Sequence, residues 1–261
     1  MARRWAYRAV SQFALSLAWD NLINRMITIR KAEERGHADR GWLSSYHTFS
    51  FADYHDPKHM GFRVLRVLND DRVAPGRGFG AHAHRDMEIL SYVLEGSLIH
   101  RDSMGQMQTF GPNTIQTMSA GTGVVHSEFN GSQAEPVHFL QIWILPDVQD
   151  AEPSYAQVNF DRREKQGRFR LLAGPYGDGT EDAVRIHQDA RVYVAELDSG
   201  QSVKHSLPPN RNGWVQVARG EVCFNGQLLR EGDGASVTGE SELSFSADGP
   251  QSTEFLLFDL P

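Results

Sequence analysis

Cysteine is nearly absent from this chain of 261 residues: Cys223 stands alone, so no intramolecular disulfide can form and the Cys-rich zinc modules are excluded. A single thiol suits a reducing cytoplasm, which is the expected location. Long apolar runs are also missing, and nothing approaches the roughly 20 consecutive apolar residues that a membrane-spanning helix needs. Nor is there a surplus of positive charge. The net charge is −7, whereas a nucleic-acid binder neutralises phosphates with an excess of Lys and Arg. Small molecules or proteins are therefore the expected partners, with no membrane and no nucleic acid, and a monomer is expected. Long amphipathic helical patterns are absent too. What is plentiful is turn-forming and aromatic: 24 glycines, 11 prolines and 14 phenylalanines describe a turn-dense β protein. Eleven histidines point toward metal chemistry.

Residues 1–25 differ from the rest. They carry Arg3, Arg4, Arg8 and Arg25 against Asp20 alone, and their apolar stretch is interrupted by Ser11, Gln12 and Ser16 and lacks a small-residue cleavage site. This segment is expected to be an extension outside the fold, with synthesis starting at Met26. A surface-lying amphipathic helix and a basic targeting peptide are the other two readings.

From Met26 onward the pattern is strand and turn. The segments 62–68, 88–94, 137–145, 190–197, 214–220 and 253–260 are short, rich in branched and aromatic residues, and bounded by Gly, Pro, Asn or Asp. The stretch 92–113 and the stretch 215–235 both read strand, Gly, strand, Gly turn, strand, Gly turn. This repetition predicts an all-β protein of two barrels of about a hundred residues each, 26–150 and 151–261, with a polar seam over 150–179.

The chemistry concentrates in two short segments. His82 and His84 are two apart, so on an extended strand both side chains leave one face and can converge on one ion. His126 and Glu128 repeat that spacing, after glycines that allow a tight return of the chain. One HxH alone is a weak signal, since an isolated histidine is more often a surface or satisfied core residue. Two period-two pairs in Gly-rich settings favour a metal site built from three imidazoles and a carboxylate, which leaves a first-row divalent ion open positions. His37, His47, His55, His59, His100, His138, His187 and His205 lack such partners and are read as structural or solvated. Glu88 is ambiguous: it could ligate, or hydrogen-bond a ligand imidazole from behind. Neither GxSxG nor a Walker pattern competes with this reading.

Gly76, His82, His84 and Glu88 resemble the first cupin motif, and Gly123, His126 and Asn130 the end of the second. RGW (40–42), HTFSFADYHDP (47–57), HAHRDMEILSYVLEG (82–96) and MSAGTGVVHSE (118–128) together resemble the pirin family of bicupins, whose bacterial members include quercetin 2,3-dioxygenases. The likeness covers Met26 to Pro261. It implies two jelly-roll cupin barrels and one divalent metal on His82, His84, His126 and Glu128, with Glu88 hydrogen-bonding behind the ligands. Iron(II) is the expected ion; zinc, manganese, nickel, cobalt and copper are alternatives. The resemblance further implies an oxidoreductase that opens a flavonol with dioxygen and releases carbon monoxide, Glu128 taking the substrate's hydroxyl proton. A metal-bearing redox sensor that binds a protein partner is the alternative.

Two features depart from the general cupin pattern and suit the pirin variant better: the interval from Glu88 to Gly96 is one residue longer, and Gly121 stands where proline is usual. In the second barrel His205 remains, but Pro208 and Asn212 lie near the positions where a further histidine and a glutamate would be needed. No metal is expected there.

Overall fold

The computed structural model describes residues 26–179 and 182–261. The expectation for residues 1–25 therefore lies outside the described residues. Apart from two single-turn 3-10 helices, Ala32–Glu34 and Arg162–Glu164, the regular structure described is entirely β. The segments that the sequence marks as strands are strands, with one shift. The strand expected to start at 62 begins at Leu65, because Arg63 turns the chain at φ 54° and Phe62 bridges to Leu65.

Each half pairs a seven-stranded sheet with a four-stranded one. In the first half the large sheet runs, in spatial order, Ser154–Asn159, Thr114–Ser119, Glu88–Glu95, Val137–Ile144, Leu65–Val73, Leu43–His47 and Gly36–Asp39. The small sheet runs Gly78–His84, Val124–Asn130, Leu98–Asp102 and Met107–Phe110. The second half repeats this plan. Its large sheet holds Met26–Arg30, Gly234–Thr238, Asn212–Arg219, Thr253–Leu260, Arg191–Leu197, Arg170–Pro175 and Val184–Ile186, and its small sheet Ser202–Ser206, Glu242–Ser246, Glu221–Phe224 and Gln227–Arg230. Gly96 and Gly220 mark the same turn in both copies: each has positive φ and sits against a backbone carbonyl, of Pro136 and Ser252 respectively. A side chain at either position would meet both obstacles at once.

Sheet membership departs from a division at 150 in two places. Met26–Arg30 pairs with Gly234–Thr238 in the second barrel, and Ser154–Asn159 pairs with Thr114–Ser119 in the first. Each barrel thus borrows one edge strand from beyond the expected boundary. The physical gain is the same twice over, since each borrowed strand satisfies the hydrogen-bonding edge of a buried strand.

The two large sheets bury their outer faces against each other. Leu90, Tyr92, Ile142 and Ile144 from the first meet Val192, Val194, Trp214 and Phe258 from the second in one apolar cluster. The central strands of these sheets are therefore covered on both sides. The strand Glu88–Glu95 is buried at every position but its last. Ile89, Ser91 and Val93 face into the first barrel, while Leu90, Tyr92 and Leu94 face the second. Among the described residues no helix is long and apolar enough to cross a membrane.

Candidate metal centre

His82 and His84 leave the same face of Gly78–His84, as their spacing requires, and the neighbouring strand brings His126 directly opposite His82. The three rings lie 4.5 to 4.9 Å apart between centroids. Pairing then slips. Between the His126–His82 and Glu128–Phe79 pairs, the Gly78–His84 strand spends one residue more than its partner, a bulge around Gly80. The Gly80 carbonyl accepts from His82 Nδ1 at 2.7 Å, which fixes the tautomer and leaves the lone pair on Nε2.

That Nε2 is 3.0 Å from Nε2 of His126. Two imidazole nitrogens bound to one ion at about 2.1 Å and at right angles are about 3.0 Å apart, so the spacing suits a shared ion. Burial, reinforced by His82, lowers His84 to about 4. Burial also holds His126 far below the ordinary histidine range, and His82, His84 and His100 push the same way. Neutral imidazoles with free lone pairs are the form a metal needs. The donor set therefore fits a divalent first-row ion.

Glu128 is fully buried, held by Ser91 Oγ donating at 3.1 Å and by Gln141. Burial raises its carboxyl to about 7 against those two bonds. Its oxygens cluster with nitrogens of His126 and of His100, within 4.8 Å, so His126 joins two overlapping triads: one with His82 and His84, the other with His100 and Glu128. His100 was read as structural from sequence. It pairs across the strands with Glu128, and its Nε2 donates to Asp102 at 2.8 Å, leaving Nδ1 buried without a hydrogen bond. A period-two His–Asp pair, His100 and Asp102, was its available signal.

Glu88 does not lie behind the imidazoles. It has the same parity as Leu90 and Tyr92 and so points out of the barrel, where Ser119 Oγ donates to it at 2.6 Å and the His187 backbone N–H bonds it too. Burial raises it to about 7, Ser119 and His187 opposing and Asp147 adding to the rise. Strand alternation is the reason: Glu88 is three positions from the inward-facing Ser91, an odd step that puts it on the opposite face. Glu88→Gln is accordingly expected to leave metal stoichiometry unchanged, whereas Glu128→Gln should weaken metal binding at least tenfold. Metal titration of the two variants reads the difference directly, and an ion lost from Glu88→Gln alone would reverse the assignment.

The imidazoles open onto a cavity of about 610 Å³. Trp42, Phe51, Tyr54, Phe79 and Trp143 line it, and Trp143 meets the His84 ring edge-on at 4.9 Å. Flat apolar walls with a few polar groups suit an aromatic ligand. The Phe51–Tyr54 turn is tied down from the other barrel, since Arg30 on the borrowed first strand donates to Tyr54 Oη at 2.8 Å.

The second barrel is filled with hydrocarbon where the first has the candidate ligands. Phe224 and Phe245 pair across strands as His100 and Glu128 do, and their rings stack at 4.9 Å. Phe255 and Phe169 complete that interior. His205 lies 3.5 Å from Asp259 at the edge of this cluster, beside Phe169 and Tyr193. His205→Ala should leave metal content unaltered; loss of an equivalent on metal analysis would contradict this.

Comparison with known proteins follows the same lines. The pirin family profile matches residues 28–144, and that of the quercetinase C-terminal cupin domain matches 171–260. The chain is 46% identical over 236 residues to a quercetin 2,3-dioxygenase of Escherichia coli, covering 90% of this chain and 99% of that one. It is 39% identical over 222 residues to a pirin-like protein of Caulobacter vibrioides, covering 85% and 95%. The crystal structure of the bacterial pirin YhhW from Escherichia coli in complex with nickel(II) superposes with a TM-score of 0.84 at 45% identity, covering 90% of this chain and 99% of that chain.

Proposed function

Because this chain belongs to the pirin family, we propose that it is a metal-dependent dioxygenase that opens the oxygen-bearing ring of a flavonol such as quercetin and releases carbon monoxide. His82, His84 and His126 hold one divalent ion, and Glu128 is its fourth protein donor. The nickel(II) complex of the similar bacterial pirin supports a divalent ion. Iron(II) is our choice among such ions because the reaction uses dioxygen.

The observation that carries this reading is that the imidazoles of His82, His84 and His126 and the buried carboxylate of Glu128 line one aromatic-walled cavity. When bound, the ion would polarise the adjacent hydroxyl and carbonyl oxygens of a flavonol and lower the hydroxyl's pKa. The chain supplies the rest. Trp143 and Phe51, with rings 5.3 Å apart and edge to face, form a corner against which a flat substrate can lie. Glu128, which lines the cavity beside the imidazoles, takes the hydroxyl proton as a carboxylate. Ser91 and Gln141 fix its orientation. The aromatic walls exclude water from the substrate faces they cover.

Anaerobic reconstitution with iron(II), and separately with nickel(II), followed by addition of quercetin and air tests the proposal. One equivalent of metal and carbon monoxide released in step with oxygen consumed are expected. A reconstituted protein that consumes no oxygen with any flavonol would favour the sensor reading instead.

A further inference from the structure

The floor of the first barrel carries a polar row that the fold itself does not require. Four cross-strand partners, Ser91, Gln141, Asn69 and His47, stand side by side on successive strands. Ser91 and Gln141 are committed to Glu128, and His47 Nδ1 bonds Asn69 Oδ1 at 3.0 Å. In the next row, Asp71 pairs with Ser45, whose hydroxyl donates to it. All six side chains are buried.

The second barrel fills the corresponding positions differently. There the same register reads Val215, Leu257 and Tyr193, with Phe255 and Ala195 in the row of Asp71. Buried polar groups destabilise unless they are fully paired. Asp71 is not fully paired. A carboxylate offers about four acceptor positions, and Ser45 Oγ is its one side-chain hydrogen-bond donor. Asp71, Asn69, Ser45 and His47 all line the cavity shared with the imidazoles. Asp71 and Asn69 lie on the strand beside Gln141, about 4.8 Å further from Glu128. A ligand anchored at the metal would reach them with a more distant part of its frame.

We propose that Asp71, seated by Ser45 and flanked by Asn69, accepts a hydrogen bond from a phenolic hydroxyl remote from the substrate's metal-binding oxygens, so that the site selects polyhydroxylated flavonols. This inference rests on the dioxygenase reading for its substrate class. It adds a specificity-determining contact that acts on binding, outside the proton transfer assigned to Glu128.

The test compares quercetin with 3-hydroxyflavone, which shares the hydroxyl–carbonyl unit but lacks the other hydroxyls. Binding to the metal-loaded protein under anaerobic conditions is followed by quenching of tryptophan fluorescence, since Trp42 and Trp143 line the cavity. The wild type should bind quercetin about tenfold tighter, as one hydrogen bond to a buried acceptor allows. In Ser45→Ala/Asp71→Leu, which replaces the polar pair with apolar side chains, the two affinities should converge to within about threefold. The metal content and the affinity for 3-hydroxyflavone should be retained. Asp71→Asn, which preserves shape, should lie between the two and serves if the double variant does not fold. A wild type that does not discriminate, or variants that lose both ligands equally, would overturn the inference. Turnover in air is read separately: discrimination in binding without turnover of either compound retires the dioxygenase reading and leaves the contact standing.

Discussion

Replacing His126 with alanine should remove the metal and the activity together. His126 is the one residue common to both triads, is 2% exposed, and packs against His82, His84 and His100. Without it, His82 and His84 remain as two donors on a single strand, and Glu128 loses the imidazole that links it to them. Metal content should fall below about a tenth of an equivalent, and turnover should drop well beyond the roughly ten- to hundredfold typical of an outer partner. The barrel should survive, because Val124 and Asn130 of the same strand keep their own contacts: Val124 packs beside Ile89 and Met118, and Asn130 Nδ2 donates to the Val73 and Glu135 carbonyls. Metal analysis alongside a thermal melt separates the two effects. Stoichiometric metal in a folded His126→Ala protein would mean that the ion sits elsewhere.

A second large effect, on stability, is expected at the seam between the barrels. Lys165 is buried there, its Nζ donating to Glu254 at 2.6 Å and to Tyr92 Oη at 3.1 Å, with Glu196 at 3.8 Å. Tyr92 comes from the first barrel and both glutamates from the second, so one ammonium group serves both halves. Lys165→Met strands the buried Glu254 carboxylate without its cation, while Glu196 keeps Arg162, a loss that typically costs about 3–5 kcal/mol. For a chain of this size the melting temperature should fall by roughly 10 °C. Adding Glu254→Gln should restore part of the loss, because the uncompensated charge is then removed. Additive melting shifts in the double variant would show that the three groups do not act as a unit.

The parts of this architecture that were readable in the sequence are those written in short-range periodicity. His82 with His84, and His126 with Glu128, announce themselves because a two-residue spacing places neighbours on one strand face. The duplication was visible through glycines such as Gly96 and Gly220, whose turns recur. Glu88 was misplaced for a physical reason: its strand is covered on both sides, so EILSYVLE shows no apolar–polar alternation to reveal which parity looks inward. His100 and Asp71 were hidden differently. Their significance depends on partners 28 residues away at Glu128 and 26 away at Ser45, and cross-strand register is not encoded locally. The borrowed strands were beyond reach for the same reason, since Met26–Arg30 finds its partner more than 200 residues later.

That last pairing sets a timetable for synthesis. Met26–Arg30 leaves the ribosome first but can dock only when Gly234–Thr238 has emerged, while Ser154–Asn159 must follow before Thr114–Ser119 is covered. Until then the nascent first barrel presents an open strand edge, the kind of template on which chains join one another. Closing so long a loop adds little to its entropic cost per residue, but it does slow the final step, because contacts distant in sequence form late. A nascent chain held with residue 150 just clear of the ribosome would therefore present His82, His84, His126 and Glu128 on a barrel with one raw edge, and among the described strands the last to find its place would be the first one made.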